Sequence, residues 1–298
     1  MKSLISIFLI CHLLSLNAFA AIPYRLTIDD VKNELTSNRN LIIKNFDAAI
    51  SDWAKFISSH GELWVEIQVT DQTSGLQGGS IGYKELSIEN GQRIFELSAS
   101  YKMRTGEAIN SSQPDILILV NPRVFETSLE IDPNPELRTA VIPRGKLDLV
   151  SAFAHELGHG FGIQGFLDFN TITSTMMNII SPYDRFVKLA NGDLYFDGPH
   201  AKSANGNLPI PLTYCKGQYA QQIVRNGKAL SLSTDGGENI YHIGHCRSYE
   251  NTPDALLYSI MGGVWPFESA SYANGIREQV TKLEASILWD VGIPMVNQ

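Results

Sequence analysis

VSAFAHELGHGFG, residues 150–162, is the stretch from which the fold is most directly predicted. Asp148 is a suitable residue for starting a helix there. In a helix His155 and His159 lie on one face, one turn apart, where a single divalent metal ion can bind both imidazoles. Glu156 lies about 100° further round, within reach of a water on that metal. The stretch therefore predicts a metal-binding helix, and the simpler alternative is an amphipathic helix whose histidines face a core.

The identity of a third ligand decides the kind of metal site. A catalytic zinc usually takes three protein ligands and leaves a fourth position for water. One class of site uses a downstream glutamate, but residues 157–237 contain none. The other class has the pattern H-E-x-x-H-x-x-G-x-x-H, which this chain matches as far as Gly162, with Gly165 in place of the last histidine. The aspartates that stay open as ligands are Asp168, Asp184, Asp193 and Asp197.

A methionine near the C-terminus adds a second anchor. SIMGG, residues 259–263, resembles the methionine turn that follows this pattern, although an ordinary buried methionine before two glycines would look the same alone. With HELGHGFG, it makes the chain resemble the metzincin zinc peptidases. The similarity is to the leishmanolysin-like branch, in which an insertion separates the glycine from the third histidine. YDRF (183–186) and ANGNLPIPL (204–212) are weaker points of similarity.

The resemblance places the third histidine shortly before the methionine turn. This favours His242 or His245 over His200, and the spacing within GGENIYHIGHC, residues 236–246, favours His242. His245 stays the alternative third ligand. The resemblance thus implies one Zn²⁺ bound by His155, His159 and His242, with Met261 packed beneath it.

The resemblance also implies a fold and an activity. The fold would be a twisted, mostly parallel sheet with one antiparallel edge strand, an active-site helix and a C-terminal part carrying the methionine turn. We expect a secreted endopeptidase in which zinc activates a water and Glu156 is the general base. Its partner would be a protein or peptide substrate. The alternatives are a secreted zinc-binding or adhesion protein without turnover, and a zinc amidase that is not a peptidase.

Hydrophobic periodicity indicates an α+β fold of the α/β-sandwich type. Spacings of three and four predict a helix over residues 41–59, and alternation predicts a strand over 63–70. Further strands are expected at 93–100 and 115–120, and a last helix at 276–289. We expect one catalytic domain over residues 21–298, with an N-terminal subdomain at about 21–162 and a loop-rich C-terminal subdomain at about 163–298.

The N-terminus is typical of an export signal. Residues 1–20, MKSLISIFLICHLLSLNAFA, combine Lys2, an apolar run and an A-x-A cleavage site ending at Ala20. The run is interrupted by polar residues, and no second run long enough to span a membrane follows. We therefore expect an exported mature chain, extracellular or periplasmic, without a membrane span.

Charge and cysteines narrow the partners and the chemistry. The net charge is −8 and no cluster of Lys and Arg stands out, so nucleic acid is not an expected partner. After removal of the signal peptide only Cys215 and Cys246 remain. In an oxidising compartment they predict one disulfide. The alternative is that Cys246 is a metal ligand or a free thiol.

Overall fold

The structure is a computed structural model that describes residues 22–296 apart from 74, 144–145, 169–172, 175–177, 191–192, 216–222, 226–227, 231–240, 244–260 and 262–276. Within these residues it contains six α-helices and several small sheets, which confirms the α+β class. Their order is β1 (Tyr24–Asp29), α1 (Arg39–Trp53), β2 (Leu63–Val69), β3 (Leu76–Ser80), β4 (Tyr83–Glu89), β5 (Gln92–Leu97), α2 (Ser98–Thr105), β6 (Ile116–Val120), α3 (Pro122–Thr127), β7 (Leu129–Glu130), β8 (Leu147–Asp148), α4 (Leu149–Phe161), β9 (Leu167–Asp168), β10 (Thr173–Ser174), β11 (Ile179–Ile180), β12 (Val187–Ala190), β13 (Asp193–Phe196), α5 (Pro199–Ala204), β14 (Ile210–Cys215), β15 (Ile223–Arg225), β16 (Lys228–Leu230) and α6 (Lys282–Asp290).

A four-stranded sheet supports the N-terminal part of the chain. Its order is β1-β2-β6-β3; β1, β2 and β6 are parallel, and β3 is antiparallel to β6 at the edge. In β2 and β6 alternate residues are buried because successive side chains point to opposite faces. The predicted strands at 63–70 and 115–120 are thus confirmed.

The other strands form smaller sheets. β4, β5 and β11 make a mixed three-stranded sheet, and β12, β13 and β14 make an antiparallel one. The pairs β7–β8, β9–β10 and β15–β16 complete the set among the described residues. After residue 165 the described strands are two to six residues long.

Two buried helices pack together beside the main sheet. The Phe46 ring of α1 meets the Phe153 ring of α4 edge-on at 5.5 Å, and Trp53 meets Phe161 in the same way at 5.6 Å. The Trp53 indole N–H donates to the carbonyl of Ala154 at 2.8 Å. These contacts hold α4 on α1, while the opposite side of α4 packs against β3.

α4 begins and ends where the sequence predicts. The Asp148 carboxylate caps its first turn by accepting from the Ser151 amide at 3.1 Å. Gly162 follows the helix with φ of +142°, a conformation that residues with a Cβ rarely adopt. Since nearly all of α4 is buried, its orientation is fixed on every side.

Three predicted boundaries differ from the structure. α1 ends at Trp53, earlier than the predicted residue 59. The strand predicted over 93–100 ends at Leu97, because Ala99 and Met103, four residues apart, face the core from a helix. The last helix begins at Lys282 instead of 276, because Thr281 and Glu284 form a reciprocal capping box.

A buried network of charges fastens the start of α4 to its neighbours. The Arg138 guanidinium contacts the carboxylates of Asp52 and Asp148 and donates to the backbone carbonyl of Glu278 at 3.0 Å. Ser151 Oγ also donates to that carbonyl, at 3.1 Å. Burial, with the nearby charges of Glu284 and Asp148, raises the pKa of Glu278 to about 8.

Replacing Glu278 by glutamine should change how stability depends on pH. Because the folded pKa lies above the ordinary value of 4.5, folding favours the protonated form; this contribution is complete below pH 4.5 and is lost as pH rises through about 8. Glutamine cannot lose that proton. We expect Glu278→Gln to match wild type at pH 4.5 and to melt on the order of 5 °C higher at pH 8.5. Parallel melting curves of the two proteins against pH would contradict this.

Within the described part of the chain, no helix combines the length and the apolar character needed to cross a membrane.

Candidate metal centre

Three histidine side chains converge beside α4. His155 and His159 extend from one face of the helix, and His242 approaches from the short segment 241–243. The Nε2 atom of His155 lies 3.1 Å from that of His159 and 3.2 Å from that of His242. The three ligand atoms lie within 4.8 Å of one another. His155 and His242 are 3% and 6% exposed, so this cluster is largely enclosed.

The donor set fits a zinc ion. Two nitrogens bound to a tetrahedral zinc at about 2.0–2.1 Å lie about 3.3 Å apart, close to the two Nε2 separations centred on His155. Three imidazoles with no fourth protein ligand among the described residues are also the set typical of catalytic zinc. The residues present therefore match the group in chemistry and in spacing.

The backbone carbonyl of Ile163 orients the His159 ring. Its Nδ1 atom lies 2.8 Å from the carbonyl oxygen of Ile163, which directs Nε2 towards the other two rings when Nδ1 carries the hydrogen. Desolvation lowers the pKa of His159, and the Ile163 carbonyl opposes this only in part. Neutral imidazole, the form that binds metals, is therefore favoured at neutral pH.

Glu156 lies next to the histidines and against the edge strand. Its Oε2 atom accepts a hydrogen bond of 2.5 Å from the backbone amide of Gly78 in β3. A Cβ at Gly78 would come within 2.6 Å of the Glu156 Cβ, so glycine is required for β3 to approach the helix this closely. The carboxylate is thus held beside the cluster by one oxygen.

A cleft opens over the cluster. The three histidines and Glu156 line it, together with residues 76–78 of β3, Gln164 and Tyr241. The Gln164 side chain accepts from the Ser80 amide at 2.9 Å, so two amides of β3 bond to side chains that line the cleft.

Met261 lies under the helix, on the side of Gly158. A Cβ at Gly158 would overlap the Met261 sulfur and approach Trp53 to 3.1 Å, so the helix backbone rests directly on these side chains. The carbonyl of Met261 accepts from the Ile243 amide at 2.8 Å, which ties Met261 to the segment carrying His242. Of the predicted methionine turn, residues 259, 260, 262 and 263 lie outside the described residues.

The other residues predicted for the site have different places. His200 is not in the cluster: its Nδ1 atom lies 2.7 Å from Asp290 and its ring stacks on Trp289. His245 lies outside the described residues, as does Cys246 of the predicted disulfide with Cys215. Residues 1–21, which include the predicted signal peptide, also lie outside them.

Two polar residues lie beside the cluster: Tyr241, which the sequence analysis did not identify, and Asp184, which it named only as a possible metal ligand. The Tyr241 hydroxyl accepts from the Leu167 amide at 3.1 Å and donates to Asp184 Oδ1 at 3.4 Å. Asp184 Oδ2 accepts from the amides of Phe166 and Ser181, each at 2.8 Å. Burial raises the pKa of Asp184 to about 6, although these hydrogen bonds favour the charged form. Its position directly before the predicted ligand His242 is the sequence signal that could have identified Tyr241.

Gly165 lies where the structure leaves no room for a side chain. A Cβ at this position would overlap the carboxylate of Asp184. Asp184 cannot withdraw without losing the amides of Phe166 and Ser181. A histidine side chain at residue 165 is therefore incompatible with this arrangement, and the third imidazole comes from His242 instead.

Gly165→Ala should destabilise the protein by about 1–3 kcal/mol, as expected for forcing a methyl group into packed surroundings. Thermal melting checks this. Gly75→Ala is the matched control, because a Cβ there meets no atom within 4 Å. Equal melting temperatures for the two variants would show that Asp184 is free to move away.

The fold therefore places three histidines and the Glu156 carboxylate, from distant parts of the chain, along one cleft. The convergence of His155, His159 and His242 makes a site that could bind a metal ion. Searches against protein-family models, curated proteins and solved structures give no match to the chain.

Proposed function

We propose that this protein is a zinc-dependent endopeptidase. The observation that carries the proposal is the convergence of His155, His159 and His242, with Glu156 beside them, in a cleft bordered by an edge strand. Three neutral imidazoles leave a position for water on a zinc ion. A general base at that position has a use in hydrolysis but none in a purely structural metal site.

The residues divide the chemistry between them. A bound zinc would lower the pKa of a water and polarise the carbonyl under attack. Glu156 accepts the proton of the attacking water and then passes it to the departing amine. The Gly78 amide holds Oε2 of Glu156, so the carboxylate keeps one orientation while the proton moves.

The edge strand supports a peptide as the substrate. β3 pairs with β6 on one side only among the described strands. On its other side the amides of Gly78 and Ser80 bond to Glu156 and Gln164. Because those two amides already donate to side chains, we expect an extended peptide to lie along β3 in the cleft without pairing to them, and its backbone carbonyls would then pass the cluster.

Several features support a metzincin-type enzyme of the leishmanolysin-like branch. The main sheet is mostly parallel with one antiparallel edge strand. Met261 lies beneath the turn of α4 between the two helical histidines. The third histidine is far along the chain, after an insertion that begins at Gly165. An exported location and the Cys215–Cys246 disulfide stay predictions from the sequence.

Digestion of a mixed peptide library by the full mature chain tests the proposal. Mass spectrometry should find new internal cleavage products that disappear with a chelator and return when zinc is added back. Intact peptides in the presence of a zinc-loaded protein would contradict the proposal. Release of ammonia or of an amino sugar from amide substrates, without peptide cleavage, would indicate the amidase alternative.

A further inference from the structure

We propose that Tyr241 and Asp184 form a polar clamp that positions the third histidine, His242, against the helix that carries the other two. The clamp is defined by these two residues. This inference rests on the proposed metal site. It gives a structural reason why a chain with an interrupted ligand motif can still hold three imidazoles together.

Asp184 is the fixed half of the clamp. It is 5% exposed, and its Oδ2 atom accepts from two amides, those of Phe166 and Ser181. The Ser181 hydroxyl accepts from the Asp184 amide at 3.1 Å and closes a tight local loop. One carboxylate oxygen is thereby committed to the backbone. The other, Oδ1, points to Tyr241.

Tyr241 is the half that reaches the ligand segment. Its hydroxyl bonds to Asp184 and to the amide of Leu167, which lies just after the end of α4. Its ring packs against the fully buried ring of Tyr183 at 5.5 Å. Because Tyr241 precedes His242 directly, these contacts restrain the backbone at the third ligand.

The clamp is one of two restraints on the segment that carries His242. On the far side of His242, Ile243 pairs with Leu212 and donates its amide to the Met261 carbonyl. His242 therefore lies between two anchored neighbours. The Ile243 side reaches α4 through Met261, which lies beneath Gly158, and the Tyr241 side bonds to the chain that follows α4.

The effect of such a restraint on metal affinity has a known magnitude. Partners that orient metal ligands typically contribute about 10–100-fold to metal affinity. Tyr241→Phe keeps the ring and its packing on Tyr183 but removes both hydrogen bonds of the hydroxyl. We expect its zinc dissociation constant to rise by about 10-fold or more, and Asp184→Asn to act in the same direction.

The experiment measures zinc affinity of the full mature chain by competition with a fluorescent chelator, alongside melting of the metal-free protein. Tyr101→Phe is the matched control, because it also removes a hydrogen-bonded tyrosine hydroxyl, one that contacts Lys84 and Glu107 and does not line the cleft. A weaker affinity in Tyr241→Phe, with peptidase activity rescued by excess zinc, supports the clamp.

Two results would overturn it. If Tyr241→Phe binds zinc as tightly as wild type, the clamp does not position the ligand, whether or not the variant melts earlier. If wild type itself binds no zinc, the proposed function and the clamp both fail. Should Tyr241→Phe not fold, Asp184→Asn is the second variant, since it keeps the tyrosine and an oxygen that can accept from the amides of Phe166 and Ser181.

Discussion

Glu156→Gln should reduce peptide hydrolysis by about 10²–10⁴-fold, the usual contribution of a positioned general base. The substitution keeps the size of the side chain and an oxygen that can accept from the Gly78 amide, so the local structure should persist. What glutamine cannot do is accept a proton from water. The rate of peptide cleavage at saturating substrate measures the loss, and zinc content measured on the same sample should stay at one equivalent.

The matched control for this variant is Glu66→Gln. Glu66 belongs to β2, and its side chain accepts from Thr27 instead of lining the cleft. Its rate should equal that of wild type. A Glu156→Gln protein that retains zinc and still cleaves peptides at the wild-type rate would remove Glu156 from the chemistry.

His242→Ala has the second-largest expected effect. Losing a direct ligand should cost more than losing a partner that only orients one, so zinc affinity should fall by more than about 100-fold. Peptidase activity should disappear at zinc concentrations that saturate wild type. Equilibrium dialysis followed by metal analysis measures zinc affinity, and the peptidase activity is measured on the same samples.

His200→Ala is the control that shows whether zinc affinity falls when a histidine outside the cluster is removed. The His200 side chain is 38% exposed and pairs with Asp290 beside Trp289, away from the cluster. Its removal should leave one zinc per chain. If His242→Ala also keeps one tightly bound zinc, a different residue is the third ligand, and His245 is the first to replace in turn.

The local parts of the fold and site were predictable from sequence. The helix from Asp148 to Gly162 follows from a capping residue, four-residue histidine spacing and a terminal glycine, all of which act within a few residues. The strands at 63–69 and 116–120 follow from alternation and a buried apolar run. Each of these signals depends only on residues within or next to the segment that it predicts.

The parts that depend on distant contacts were not predictable in the same way. β3 was not recognised because Gly78 and Gly79 weaken any strand pattern, yet these glycines allow the edge to approach Glu156 and Gln164. Asp184 stood open as a metal ligand, whereas its carboxylate lies on the amides of Phe166 and Ser181. Periodicity does not report which loop lies against which helix.

Choosing among the histidines needed the same kind of information. Spacing favoured His242 over His245 but could not exclude either. The structure brings His242 to His155, with Ile243 held by Met261 and Leu212 and with Tyr241 held by Leu167. These contacts join residues 18 to 87 positions apart, and they arise only from the folded arrangement of the chain.

Titration of the metal-free mature protein with zinc, followed by the rate of peptide cleavage, tests whether zinc and hydrolysis belong to one site. We expect no cleavage without metal, a rate that rises in proportion to added zinc, and a plateau at one equivalent per chain. Cleavage by the metal-free protein, or one bound zinc without any cleavage, would contradict this expectation.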